Sequence, residues 1–420
     1  MKRRYVLAAL ALFLHILLVS CSQAETPAEP VQQQDTEEEG QTITVVPPGG
    51  NAVTKDTSKY QIQTRLTDFQ LLNSKEGIAW GITRNALRLY YTEDSGKTWM
   101  NISPADNVQF NSNPKYGQDI FFTDPQHGWI VREGMGSTDS IMLHTENGGE
   151  TWKISSLASS HQISAIHFVN AKRGWLMTSM DSTIGKEIKT LYRTDDGGST
   201  WSRIMQNASN EQVQVGKQII SDQGYVVGMT FTDVNHGFVT VHNLGRPQLQ
   251  VTADGGQSWN EKEGFFNSEE HAGCSAFQTG RPQSLGLTGK NVWMSLGCSK
   301  ATTTQFGGYF STDSGSQWNF VQFDLRGQEG VNQYLSPTFM NSTEGWAVEN
   351  GNVYHTIDQG HTWLPLPPSK VLIKKLQDYP EIVKIQFSTP KVGWLLIEKA
   401  EERKSLLLQT TDGGYSWHVL

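Results

Sequence analysis

Seven acidic or amide side chains recur in one local setting along this 420-residue chain. Asp94, Asn147, Asp196, Asp254, Asp313, Asp358 and Asp412 each stand two residues after a Thr or Ser, two before a Gly and five before a Trp. A carboxylate can serve as acid, base or metal ligand, but this spacing points to turn chemistry. An Asp side chain accepts hydrogen bonds from backbone N–H groups a few residues on, mimicking a turn. The Gly supplies the positive φ of a tight hairpin, and the Trp returns the chain into a strand with a large ring to bury. Asn147 replaces the acid in the second copy and Gln317 replaces the hydroxyl residue in the fifth. The tryptophans that end the copies lie 45 to 59 residues apart, a period that marks a repeat architecture.

Other candidates for chemistry are sparse. His127 and His236 occupy polar turns, while His144 and His355 precede the Thr that opens a copy, so the histidines show no metal-ligand spacing. No nucleophile elbow or phosphate-binding loop is present. Asp181 and Glu187, on one loop, are the nearest approach to a carboxylate pair for hydrolysis. The expectation is therefore no metal, no cofactor and no catalytic residue.

The cysteines carry a different message. Lys2, Arg3 and Arg4 precede an apolar run from Tyr5 to Leu18, too short for a membrane span of roughly 20 residues. It ends in Leu18-Val19-Ser20-Cys21, which resembles a bacterial lipobox, in which the cysteine is acylated and becomes the new N-terminus. Residues 1–20 are thus expected to be a lipoprotein signal peptide and 21–55 a lipidated Cys21 with a disordered acidic tether. The protein is expected at the cell membrane, lipid-anchored on the extracytoplasmic side. Cys274 and Cys298 remain as an even pair in an oxidising compartment, which suggests a disulfide. With the three basic residues of the signal and the six acids of the tether set aside, the formal charge goes from −8 to −5. That balance argues against nucleic acid as a partner.

A second pattern keeps step with the turns: Phe, a short polar turn, Gly, then Trp or Phe. It runs Phe122 to Trp129, Phe168 to Trp175, Phe231 to Phe238, Phe339 to Trp346 and Phe387 to Trp394, with degenerate copies at Leu71 to Trp80 and Leu287 to Trp293. Each unit then reads strand, polar turn, strand, loop, strand, acidic turn, strand. Four strands in a unit of about 50 residues is a propeller blade. The fold expected for residues 56–420 is all-β: a seven-bladed β-propeller of four antiparallel strands per blade, monomeric, with the last blade completed by the C-terminus. Thr42 to Val46 is the one candidate for an added strand. In this geometry the acidic turns and Phe turns share one face. The loops between second and third strands share the other with the long connections 101–119, 202–222, 260–284 and 319–335, where binding function is expected.

These motifs are Asp boxes. Phe122-Thr123-Asp124-Pro125-Gln126-His127-Gly128-Trp129 and Phe231-Thr232-Asp233-Val234-Asn235-His236-Gly237-Phe238, each followed by a box, resemble the repeats of the photosystem II stability and assembly factor family. The resemblance implies a seven-bladed Asp-box (BNR) propeller without enzymatic activity that binds partner proteins. Similar repeats occur in sialidases and xyloglucanases, but the Arg-Ile-Pro segment of sialidases has no counterpart: Arg203-Ile204-Met205 and Arg281-Pro282 both depart from it. All 13 tryptophans fall in the two repeat patterns, leaving only Tyr116, Tyr225 and Tyr334 as loop aromatics for glycan stacking. Two readings follow: a membrane-anchored scaffold engaging an extracytoplasmic protein or envelope polymer, and a secreted glycoside hydrolase.

Overall fold

Short segments of alternating apolar and polar residues, bounded by Gly-rich turns, favour strands over helices. The chain folds accordingly into seven antiparallel sheets arranged as a β-propeller. The structure is a computed structural model that describes residues 64–420 except 105–107, 111, 135–138, 158, 160, 208–217, 287–288, 301–302, 327–334 and 350, together with Ile62 and the backbone of Ile43–Val45. The expected signal peptide, Cys21 and the rest of the tether lie outside the described residues.

The inner strands of the seven blades are Asp68–Leu71, Ile120–Phe122, Gln162–Phe168, Tyr225–Phe231, Ala276–Thr279 with Gln283–Leu285, Thr338–Phe339 and Glu381–Phe387. Each sheet then meanders outward in chain order through a second, third and outer strand. Three features go beyond the expected plan. The inner strand of blade five is in two pieces, both paired with Asn291–Lys300, because Pro282 cannot donate to the ladder. Ile43–Val45, inside the expected tether, pairs with the outer strand Trp152–Leu157 of blade two rather than closing the ring. Lys370–Asp378 forms an α-helix between blades six and seven, capped by the Ser369 side chain accepting from the Leu372 N–H.

The two repeat patterns meet at the blade boundaries. Trp129, Trp175 and Trp346 on second strands stack on Phe168, Phe231 and Phe387 of the following blade, with centroids 3.7, 3.7 and 3.8 Å apart. The box tryptophan of that following blade, Trp201, Trp259 or Trp417, meets the same Phe edge-on. Stacks of this kind are worth about 0.5–1.5 kcal/mol beyond area burial. Each stacked indole also donates its Nε1–H to the carbonyl of Gly197, Gly255 or Gly413 in the next Asp box, at 2.8–3.1 Å. The Gly before the Trp is steric: a Cβ at Gly128, Gly174 or Gly237 would lie 2.3–2.4 Å from the Phe ring of its own blade.

The degenerate first copy needs a correction. Gly77 opens the second strand and faces Thr92, so Ile78 takes the usual Trp position and Trp80 sits one pleat farther along. Its Nε1–H is satisfied by the Pro114 carbonyl instead of a neighbouring box.

The last blade is built entirely from Glu381 onward, and the ring closes without a shared strand. Trp394 packs between Phe69 and Trp99, at 5.7 and 5.5 Å. Arg65 donates to Glu398 at 2.6 Å and Lys384 to Asp68 at 3.0 Å across the same seam. The Leu66 and Leu71 N–H groups are taken by the Ser405 hydroxyl and the Gln386 side chain. The side chain of the terminal Leu420 covers Gly96 of the first box.

Candidate binding face

The seven boxes share one hydrogen-bond scheme, and it is structural. In the first, Thr92 Oγ1 donates to Asp94 Oδ1 and accepts from the Gly96 N–H, while Asp94 accepts from both the amide and the hydroxyl of Thr98. Asn147 preserves the geometry with one bond reversed: its Oδ1 accepts from the Thr151 N–H and its Nδ2 donates to the Thr151 hydroxyl. Asp313 keeps the amide bond from Gln317 in place of the amide and hydroxyl pair that a Thr or Ser supplies. Burial works against the charge of Asp358, but the bonds from Thr362 and Thr356 outweigh it and hold the carboxyl at about 2. The other five box carboxylates are likewise lowered.

The fourth box residue, Gly in four of the seven copies, has a defined role. It takes a positive φ in every copy, including Ser95, Ser314 and Gln359, which are not glycine. Its N–H donates to a carbonyl in the Phe turn of its own blade, such as Gly148 to Gln126 and Gln359 to Thr343. The Phe turns and Asp boxes therefore brace each other on one face. His127 and His236 belong to that brace through Asp124 and Asp233, at 2.9 and 2.8 Å. His144 is buried against Trp129 and pushed down to about 4 by that burial, and His355 pairs with Glu344. Among the described residues no group of His, Cys, Asp and Glu has the arrangement of a metal site.

The opposite face carries the hairpins between second and third strands and the connections between blades. Cys274, in the connection 260–284, is bonded to Cys298 on the second strand of blade five, with Cα atoms 5.3 Å apart. Beside the disulfide the buried His271 stacks on Phe266, meets Phe277 and Phe320 edge-on and hydrogen-bonds the Tyr309 hydroxyl at 3.0 Å. This insertion is packed, so the disulfide braces a small aromatic core. The connection 101–119 also folds back: the Val108 and Asn85 carbonyls accept from the Leu87 and Phe110 N–H groups. The middle of 202–222 and most of 327–335 fall outside the described residues.

The Gly280-Arg281-Pro282 break in blade five sends Arg281 across the ring to blade two, where its guanidinium donates to the Tyr116 carbonyl at 2.8 Å and Gln118 Oε1 at 2.7 Å. Gly228 of blade four makes room, since a Cβ there would lie 2.6 Å from Arg281 Cγ. Burial pushes the neighbouring Asp119 up to about 6, against the Lys115 N–H and the charge of Arg281. Lys384 of blade seven lies 6.0 Å from the centre of the Tyr116 ring, so blades one, two, five and seven contribute to one polar cluster around the axis. Tyr116 is thus a structural element of this cluster, and Tyr225 belongs to an inner strand.

The carboxylate pair suggested by the sequence is partly spoken for. Asp181 and Glu187 face each other in the hairpin register of blade three. Glu187 is buried and accepts from the Val226 N–H at 2.9 Å, with Lys189 at 3.9 Å. Lys189 is fully buried and its Nζ donates to the carbonyls of Ser221, Asp222, Gln223 and Gly224. Burial pushes this lysine down to about 8, against the charge of Glu187. The arrangement ties blade three to the start of blade four and leaves Glu187 no free oxygen aimed at Asp181. An open groove of about 970 Å³ lies next to it on blade four, with Gln248, Asn260, Glu261, Lys262, Glu263 and Phe266 among its walls. It runs beside the short outer strand Asn260–Glu261, which pairs with Gln250 and Val251 of the third strand.

Residues 102–213, which span blades two and three and include the first of the two quoted motifs, match the family model for photosynthesis system II assembly factor YCF48. The protein is a seven-bladed β-propeller, and residues 102–213 are similar to the repeats of that family. Among solved structures it is similar to an oligogalacturonate lyase in complex with manganese (TM-score 0.51, 10% identity, 84% of this chain and 89% of that one). It is also similar to a prolyl endopeptidase (0.50, 9%, 84% and 48%) and to the GH74 xyloglucanase from Xanthomonas campestris (0.49, 13%, 84% and 54%). At these identities the likeness concerns the fold alone, and the chain spans about half the length of the xyloglucanase. The comparison with curated proteins found no match.

Proposed function

We propose that this propeller is a non-enzymatic binding scaffold, held at the extracytoplasmic side of the cell membrane by a lipid on Cys21. Through the face opposite its Asp boxes it engages a protein partner or envelope polymer. The observation that carries the reading is the division of labour between the faces. The box carboxylates are engaged by turn hydrogen bonds, whereas the outer edge of blade four, reaching to the hairpin 243–246 of the opposite face, offers a groove walled by amide, charged and aromatic side chains. Such a mixture suits a polar chain lying along the exposed edge of a strand. Arg281, reaching from blade five to blade two, and the buried Lys189, tying blade three to blade four, brace the scaffold behind that surface, which lowers the ordering cost of binding.

One observation favours a hydrolase as the second reading: Glu261 and Glu263 both rim the groove. The test places a photoreactive residue at Gln248 or Glu263 in the groove and at Tyr415 in the last Asp box, with crosslinking in the native envelope. The scaffold reading expects discrete protein adducts from the groove positions only. Absence of such adducts, together with hydrolysis of a glycan panel that Glu261→Gln abolishes, establishes the second reading instead.

A further inference from the structure

The hairpins joining second and third strands in blades three and four end in one shared pattern, an aliphatic residue, a glycine and a base: Ile184-Gly185-Lys186 and Leu244-Gly245-Arg246. Ile184 is 101% exposed and Leu244 88%, the two most exposed large hydrophobic side chains among the described residues. Turn formation does not ask for them. Leu244 has φ +48°, a region sterically penalised for a branched side chain and better served by Asn or Gly. The corresponding turn of blade one uses Arg84 and Asn85 at similar angles.

The two tips are neighbours. The Gly224 N–H donates to the Gly185 carbonyl at 2.8 Å, and a Cβ on Gly224 would lie 2.8 Å from the Cβ of Asn243, so one glycine separates the hairpins. Met180 and Tyr225, 42% and 39% exposed, continue the same ridge, and the Tyr225 hydroxyl accepts from the Gly185 N–H. Lys186 and Arg246 stand one step behind the aliphatic tips.

We propose that this ridge dips into the interfacial layer of a lipid bilayer, the aliphatic tips below the headgroups and the two bases among them. Apolar tips backed by bases match the layering of that interface, in which long basic side chains keep their charge at headgroup level. The proposal rests on the reading of Cys21 as a lipid anchor. From Ser22 to Thr42 there are 21 residues, which reach at most about 70 Å. A lipid on Cys21 would therefore keep the propeller within about 70 Å of the membrane, and weak insertion suffices because docking is intramolecular. Asp222, paired with Lys186, and Asp181 on the same hairpin offset the two bases. Insertion, not attraction to anionic lipid, does the holding, so docking is insensitive to salt. The loop face is thereby turned toward the membrane, and its partner is one presented at the membrane surface.

The test uses the protein as processed and purified from the membranes of an expressing bacterium, in phosphatidylethanolamine–phosphatidylglycerol vesicles. Ile184→Cys, Leu244→Cys and, on the Asp-box face, Ile357→Cys are each labelled with a polarity-sensitive dye, and quenching by doxyl-labelled lipid is measured. The expected result is blue-shifted emission and severalfold stronger quenching at 184 and 244 than at 357, unchanged by high salt. Protein that stays with the vesicles but shows equal quenching at all three positions overturns the docking and leaves the anchor standing. A blue shift without lipid quenching means that protein covers the ridge, and also overturns it. Protein that washes off the vesicles overturns both the docking and the anchor.

Discussion

Trp175→Phe is the substitution that probes most sharply how the two repeat patterns are joined. Trp175 is fully buried, stacks on Phe231 of the next blade at 3.7 Å and 3°, and donates its Nε1–H to the Gly255 carbonyl at 2.8 Å. Phenylalanine keeps a stacking ring but removes the donor, leaving a buried carbonyl in the next Asp box without its partner. An unsatisfied buried acceptor costs about 1–3 kcal/mol, and the void left by the smaller ring adds about 1 kcal/mol. The expected loss is therefore about 2–4 kcal/mol, while Trp175→Ala loses about 3–5 kcal/mol through the cavity alone. Urea unfolding followed by far-ultraviolet circular dichroism is the assay. A lower midpoint with an unchanged m-value means that the ring still unfolds as one unit. If Trp175→Phe lies within about 0.5 kcal/mol of the parent, the indole-to-box bond does not couple the blades and the reasoning fails.

The remaining predictions concern separate devices. Asp358 is held at about 2 in the folded protein, below its ordinary value, so its stabilisation is complete above about pH 4 and is lost as pH falls toward 2. Asp358→Asn, which copies the natural Asn147 arrangement, loses about 1 kcal/mol or less at pH 7 given the exposure of the site, and flattens the acid limb of stability against pH. Reducing the Cys274–Cys298 bond, which spans 24 residues, destabilises by about 3.5 kcal/mol in the chain-entropy model, read as a lower melting temperature in dithiothreitol. Arg281→Met leaves the Tyr116 carbonyl and Gln118 side chain without their shared donor and loses about 2–4 kcal/mol in urea unfolding. Gln359→Gly relieves a positive φ of 65° and raises stability by about 0.5–1 kcal/mol; a loss would show that its bond to the Ser342 carbonyl outweighs the backbone strain.

What could be read in the sequence was what local chemistry determines. The Thr-x-Asp-x-Gly turn satisfies itself within seven residues, so each box announces a hairpin wherever it stands, and seven boxes count the blades. The disulfide was legible because two cysteines remained once Cys21 was set aside. Features that depend on partners far along the chain were not legible. Arg281 is one arginine beside a proline until the ring brings Tyr116 opposite it, 165 residues away. Trp80 was read one pleat out of place because Ile78, an ordinary aliphatic, occupies the Trp position. The helix Lys370–Asp378 does carry a local signal: Ser369 as a cap, with Leu372, Leu376 and Tyr379 at helical spacing packed on the core of blades six and seven. The positive φ at Ser95, Ser314 and Gln359 has no glycine to mark it; only alignment of the seven boxes against one another reveals it. The groove on blade four is not legible for a related reason, since segments 218–221, 243–250 and 259–266 come together only in the fold to line it.

The central claim is that the face opposite the Asp boxes binds a partner. Site-specific photocrosslinking in the native envelope tests it most directly, with probes at Gln248 and Glu263 in the groove and at Tyr415 in the last box. The account predicts protein adducts of discrete mass from the two groove positions and none from Tyr415. Adducts from Tyr415 alone, or none from the groove while the pure protein hydrolyses a glycan, would contradict it.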